Sequence, residues 1–291
     1  MREPERVPSP PSTQNFRWSS IGLTPRGALY GAGLVVLAAY SFALSRSGAA
    51  DTSLWAMAAI FASAFASSIA GFAFSAICGA LLFHMIDDPL RVVQIMMICS
   101  VGGQALMVWS LRRDVLWSTL LIFVIGAGAG LPLGVYIVLH AKPVVYIHIV
   151  GGLLVLYAAL MIFRRPVVLR RQFALLDAVA GFLGGITGGA AAFPGAFVTI
   201  WCSFKGWSKE RQRGVYQPFI LIVQIIAIAL MVAFGRAGAD HHKFDFSGVF
   251  YLPAMLLGSA LGLACFKWLN DRQFALAVNI LLIVAGASFL I

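Results

Sequence analysis

The sequence predicts an all-α polytopic membrane protein: one N-terminal helix, then two inverted repeats, each a broken helical hairpin followed by three transmembrane helices. Three observations predict it. The chain is 60% apolar and 11% charged over 291 residues, with a mean hydropathy of +0.90, whereas about a quarter of a soluble chain is charged. Its apolar runs have the length of bilayer-spanning helices and are separated by short basic loops. The two halves also repeat one another in outline.

Composition narrows the partners. The net charge of +10 would suit a nucleic acid, but the Lys and Arg residues cluster between apolar runs. That is the positive-inside pattern, so the expected partner is the lipid bilayer and no nucleic acid. Cys78, Cys99, Cys202 and Cys265 lie in apolar segments without paired spacing and read as small buried hydrophobes. No metal and no cofactor is called for.

Residues 1–26 hold five prolines and four arginines and read as a flexible cytoplasmic tail. The run 27–44 reads as an extra transmembrane helix. A signal peptide ending near Ala49-Ala50 competes with that reading, but its polar leader is long for one. Six stretches follow at spanning length: 90–111, 115–140, 143–163, 214–234, 246–267 and 273–291. Two others, 53–86 and 173–204, hold 34 and 32 residues. As straight helices these would reach roughly 50 Å against a hydrocarbon core of about 30 Å. Ser67-Ser68 and Gly71 interrupt the first, and Gly181, Gly184-Gly185, Gly188-Gly189 and Pro194 the second. Both read as hairpins of two short helices.

The halves, 53–163 and 173–291, form one membrane domain. Ala70-Gly71-Phe72 matches Ala180-Gly181-Phe182, and Val92-Val93-Gln94 lines up with Val215-Tyr216-Gln217. Gly130-Leu131-Pro132-Leu133-Gly134 matches Gly258-Ser259-Ala260-Leu261-Gly262. The order is the same in each half. Charge then sets the direction of each segment. With single crossings for the two long stretches, 12 of the 21 basic residues fall on the cytoplasmic side; with hairpins, 16 do. The positive-inside rule selects the hairpins. Hairpin 1 then enters from outside and hairpin 2 from inside, which makes the halves inverted copies. The N-terminus is cytoplasmic and the C-terminus outside. The seven tryptophans fall at or near segment ends, where an aromatic belt belongs.

No acidic residue lies in mid-span; only Asp177 enters an apolar stretch, near its start. A cation path or proton relay ordinarily places carboxylates inside the membrane. The polar residues there are neutral: Ser67, Ser68, Ser75, His84, Gln94, Gln104, Thr187, Thr199, Tyr216, Gln217 and Gln224. Broken helices expose unpaired N–H groups and the positive end of the dipole, so a small anionic substrate fits best. Gln94 and Gln217, at equivalent places in the repeats, are the leading contacts, although a glutamine can instead bridge two helices. Gly184, Gly185 and Gly188 would let backbone approach the anion, with Thr187 among them and Ser75 at the first break. Tyr216 and His84 are further candidates, each with an interfacial residue as the ordinary alternative. Arg213 and Arg91 begin equivalent helices and would draw anions to the two mouths, against the default of solvated loop arginines. His241-His242 lacks metal-ligand spacing.

The run Gly181-Phe182-Leu183-Gly184-Gly185-Ile186-Thr187-Gly188-Gly189 with Pro194 resembles the glycine-rich opening of each half in the TauE/SafE sulfite exporter family, also called the toluene sulfonate uptake permeases. Val215-Tyr216-Gln217 stands where that family shows an Ala-Thr-Ser-like triplet. The first half has Gly71 and Gly79 without a glycine run, and His84 near the family's proline. The resemblance spans about residues 53–291. It implies a secondary transporter for the export or uptake of sulfite, organosulfonates or related sulfur-containing anions in a bacterial-type inner cell membrane, with export the expected direction. A homodimer is compatible with this plan. The competing classes are an anion channel, a non-transporting assembly or signalling subunit, and an intramembrane enzyme. Neither Gly-x-Ser-x-Gly nor His-Glu-x-x-His nor a pair of intramembrane aspartates occurs to support the last, so no enzyme is expected.

Overall fold

The structure, a computed structural model, describes residues 54–70, 74–113, 115–141, 152, 173–207, 209–237 and 244–266. The tail 1–26, the helix expected over 27–44, Gly71, the span 143–163 apart from Gly152, His241-His242 and the span 273–291 lie outside the described residues. Those described are helical throughout: α1 (Leu54–Ala70), α2 (Phe74–Leu82), α3 (Pro89–Leu111), α4 (Trp117–His140), α5 (Ala174–Ala191), α6 (Gly195–Phe204), α7 (Lys209–Ala237), a 3₁₀ turn (Phe246–Tyr251) and α8 (Leu252–Phe266). Among them α3, α4, α5 and α7 contain windows long and apolar enough to cross a membrane.

Local chemistry sets the boundaries. The Asp88 carboxylate accepts from the Leu90 N–H at 2.9 Å with Pro89 at the first helical position, which starts α3. α5 stops at Ala192, whose φ of 54° is left-handed, and the Phe193 N–H turns back to the Thr187 carbonyl at 3.1 Å. α6 then runs back along α5: the Asp177 carboxylate near the start of α5 meets Trp201 Nε1 and Lys205 Nζ at the far end of α6. The stretch 173–204 is therefore an interrupted hairpin. In the first long stretch too, α2 packs back on α1, with Cys78 facing Ser63.

α7 begins at Lys209, five residues before the apolar run that marks it in sequence. The helix continues through polar residues, which hydropathy alone cannot register. Pro218 lies inside it and leaves the Gly214 carbonyl without its helical donor; the Leu116 N–H supplies one at 3.4 Å.

Two helix pairs make very close backbone contact. α4 and α5 run parallel, and a Cβ built at Gly130 would stand 2.1 Å from the Phe182 carbonyl oxygen. Gly126 and Gly134, one turn to either side, meet Ala178 and Ile186 in the same way, and Gly181, Gly185 and Gly189 face back onto α4. α8 lies parallel to α1 through Gly258 over Phe61 and Gly262 over Phe65. α3 and α7, by contrast, run antiparallel. Gln94 near the start of α3 accepts from the Asp245 N–H beyond the end of α7, at 3.1 Å, while Leu116 just past α3 meets Gly214 near the start of α7. The breaks after α1 and α5 are thus brought beside a central crossing of α3 and α7.

Candidate functional site

A cavity of about 20 Å³ lies where the end of α1 and the start of α2 face α3, α7 and α8. Its polar lining is Ser67 and Ser68 of α1, Ser100 and Gln104 of α3, Gln217 of α7 and Ser259 of α8; Phe74, Gly103, Met107 and Met255 complete the wall. Ser100, Gly103, Gln104 and Met107 fall at i, i+3, i+4 and i+7, so one face of α3 presents all four. Met255 and Ser259 sit one turn apart on α8. Gly103 is small enough to admit Met255, whose methyl group would lie 2.2 Å from a Cβ there.

No lining residue is charged. Gln217 keeps 1% of its surface exposed and Gln104 9%, and the Oε1 atoms of both have no hydrogen-bond partner among the described residues. A buried polar atom left unpaired costs about 1–3 kcal/mol. Two residues that carry such atoms line this one cavity, which makes it a candidate ligand site. Each amide can turn to offer either its oxygen or its two N–H donors. The Ser67 hydroxyl donates to the Ala64 carbonyl at 3.1 Å, a bond within its own helix that a rotation would release toward the cavity.

The second break closes on itself. Ser75 at the start of α2 donates to the Ala192 carbonyl, and Gln224 Nε2 of α7 donates to the same oxygen at 2.9 Å. Ala192 is the non-glycine residue with positive φ among those described. An L-residue held there is strained. The two breaks therefore touch, through one hydroxyl and one carbonyl.

The sequence candidates divide accordingly. Gln217 lines the cavity and Ser75 ties the breaks together. Gln94 is buried but serves as acceptor to Asp245 N, away from the cavity lining. Thr187 donates to Leu183 and Gly184 carbonyls within α5. The space beside the glycines is filled by protein: Pro194 and Phe219 at Gly184, Ala127 at Gly185, Pro194 and Val223 at Gly188. Tyr216 is buried and hydrogen-bonds Arg213. Arg91 pairs with Asp245 at 3.0 Å. His84 stands exposed in the turn after α2.

Sequence reasoning did not single out Ser100 or Ser259. Ser100 falls one turn before Gln104, and Ser259 lies inside the very Gly258–Gly262 match that identified the repeat; both signals were available. It also left Asp177 and Lys205 apart. Lys205 Nζ is 2.6 Å from Asp177 Oδ1, and their side chains retain 4% and 5% of their surface. The ammonium also lies 4.7 Å from the Trp207 ring centroid and 5.7 Å from that of Phe123, a cation–π enclosure. Trp55, Trp109 and Trp117 are exposed near helix ends, whereas Trp201 and Trp207 turn inward to this pair. Trp18 and Trp268 lie outside the described residues.

Comparison with known proteins adds one match. The family model described as "Sulfite exporter TauE/SafE" covers residues 55–289. No curated protein and no solved structure gives a significant match.

Proposed function

We infer the function from a fixed premise: this chain belongs to the sulfite exporter TauE/SafE family, a family of membrane transporters. On that premise the protein is a secondary transporter that exports a small oxyanion such as sulfite, by alternating access between two inverted repeats. The cavity between α1, α3, α7 and α8 is its substrate site. One observation supports the assignment: Gln217, 1% exposed, lines an uncharged cavity together with four serines and Gln104, and both glutamines carry an amide oxygen without a hydrogen-bond partner among the described residues.

The inverted-repeat reading is supported by helix direction. α3 and α7, the helices that follow the two breaks, run opposite ways. The Gly130/Gly134 and Gly258/Gly262 matches also perform one task in both halves, seating the next helix on the opening helix of the other half. The positive-inside rule puts Arg112-Arg113 after α3 and the basic start of α7 in the cytoplasm. The cavity lies toward those ends, so the anion enters it from the cytoplasm. The counterpart space at the second break is closed by Ser75, Ala192 and Gln224. Loading from that side is what export requires.

Uptake of labelled sulfite into proteoliposomes, with counterflow, tests the reading. The wild type should show saturable uptake that a trans gradient accelerates. Gln217→Ala and Gln104→Ala should each raise KM roughly tenfold or more, the loss of a hydrogen bond to a charged ligand being about 1.5–3 kcal/mol. Gln94→Ala should leave KM within about twofold, since its contact is to protein. Unchanged KM in both cavity variants would remove the site.

A further inference from the structure

We propose that the cavity selects a singly charged oxyanion that still carries its own proton, such as hydrogensulfite, over the doubly charged form of the same anion. The proposal rests on the cavity being the substrate site and concerns which ionisation state enters it.

The first ground is charge. The lining offers hydroxyls and amides but no cation. Of the cations on the surrounding helices, Lys205 is paired with Asp177 at 2.6 Å and Arg91 with Asp245 at 3.0 Å, while Arg213, one turn before Gln217, engages Tyr216 and is not among the lining residues. A buried anion must therefore be held by dipoles alone. The cost of removing an ion from water grows with the square of its charge, so a dianion costs about four times what a monoanion does. The six neutral polar side chains of the lining meet that demand more readily for one charge than for two.

The second ground is hydrogen-bond polarity. Gln104 and Gln217 each hold an acceptor oxygen without a partner among the described residues. A fully deprotonated oxyanion carries only acceptors and would leave those oxygens unpaired. A protonated one donates its O–H to an amide oxygen turned into the cavity while its remaining oxygens accept from amide N–H and serine O–H groups. Size is the third ground. About 20 Å³ admits a group or two of water's dimensions, so the cavity must widen even for a four-atom inorganic anion and is far too small for an aromatic sulfonate.

Sulfite meets these conditions because its second ionisation falls near neutrality, so both forms are abundant in water. The ionisable groups on the elements packed around the cavity are Cys78 of α2, Arg91 and Cys99 of α3, Lys209, Glu210, Arg211, Arg213, Tyr216 and Arg236 of α7, Asp245 and Tyr251 at the 3₁₀ turn, and Cys265 of α8; none is among its lining residues. The pH dependence of binding should therefore belong to the ligand.

The test is labelled sulfite uptake by the full chain in proteoliposomes, with equal pH on both faces. The apparent KM in total sulfite should rise about tenfold per pH unit above the anion's second ionisation, because only the protonated fraction binds. Selenite, whose second ionisation lies higher, should inhibit competitively with its break at correspondingly higher pH. Sulfate, a permanent dianion, should inhibit at least about a hundredfold more weakly than sulfite's own KM near neutrality. A KM in total sulfite that stays flat, breaks for sulfite and selenite at one common pH, no competition by selenite, or sulfate competing on equal terms would each overturn the proposal. Absence of saturable uptake of any oxyanion would instead overturn the site on which it rests.

Discussion

A carboxylate and an ammonium 2.6 Å apart, each side chain about 95% shielded by protein, form a pair whose members cannot be removed singly without consequence. Lys205→Met would leave the Asp177 carboxylate with Trp201 Nε1 as its remaining donor. Removing one partner of such a buried pair costs about 3–5 kcal/mol. Lys205→Met and Asp177→Asn should each lower the melting temperature of the detergent-purified protein by many degrees. The double variant, which leaves no buried charge, should recover most of that loss. Strictly additive losses would mean that the two charges do not act as a pair. Gln94 and Gln217 show what can be read at this scale. Both were legible as polar groups too costly to bury without a partner, and both are buried. Which one faces a cavity and which a backbone N–H depends on the helix opposite, and that is not encoded in the local run. Thr187 and Tyr216 illustrate the same limit, as does Lys205, whose partner lies 28 residues away.

Between helices, the glycine faces decide the contacts. Gly126, Gly130 and Gly134 let α4 touch α5 backbone to backbone, while Gly128 on the same helix has nothing within 4 Å of where a Cβ would stand. Gly130→Val must push the helices apart, an overpacking cost of about 1–3 kcal/mol or more. It should reduce thermal stability in detergent and the yield of monodisperse protein; Gly128→Val should do neither. Equal effects of the two would show that helix propensity, not close approach, sets the cost. The glycines of the second half were legible as sites of close approach, but not as to what approaches. Gly184, Gly185 and Gly188 suit an anion and a neighbouring helix equally well in sequence, and protein occupies the space beside each. The breaks were legible for a simpler physical reason. A run of 34 or 32 apolar residues is too long for one crossing, and Pro194 stands where α5 has already ended. Helix ends within polar sequence were not: α7 starts five residues before its apolar run.

At the scale of the molecule, the account depends on direction. Three short matches and a bias of basic residues predict two halves of opposite orientation, the plan proposed above on the opposite courses of α3 and α7. The cavity belongs to this scale as well. Its lining comes from five helices spread over nearly 200 residues of sequence, which is why Ser100 and Ser259 could not be joined to Gln217 beforehand. The alternative, in which each long stretch crosses once, puts the loops after both stretches on one side of the membrane and ends the argument for alternating access. Sided thiol labelling distinguishes the two directly. Cysteine is introduced at Asp88 or Ser208 and treated with a membrane-impermeant maleimide in intact cells and then in inverted vesicles. The wild type, in which Cys78, Cys99 and Cys202 are buried, sets the background. Inverted halves predict labelling of Asp88→Cys from outside and of Ser208→Cys from the cytoplasmic face only; both positions labelled from the same face would contradict the account.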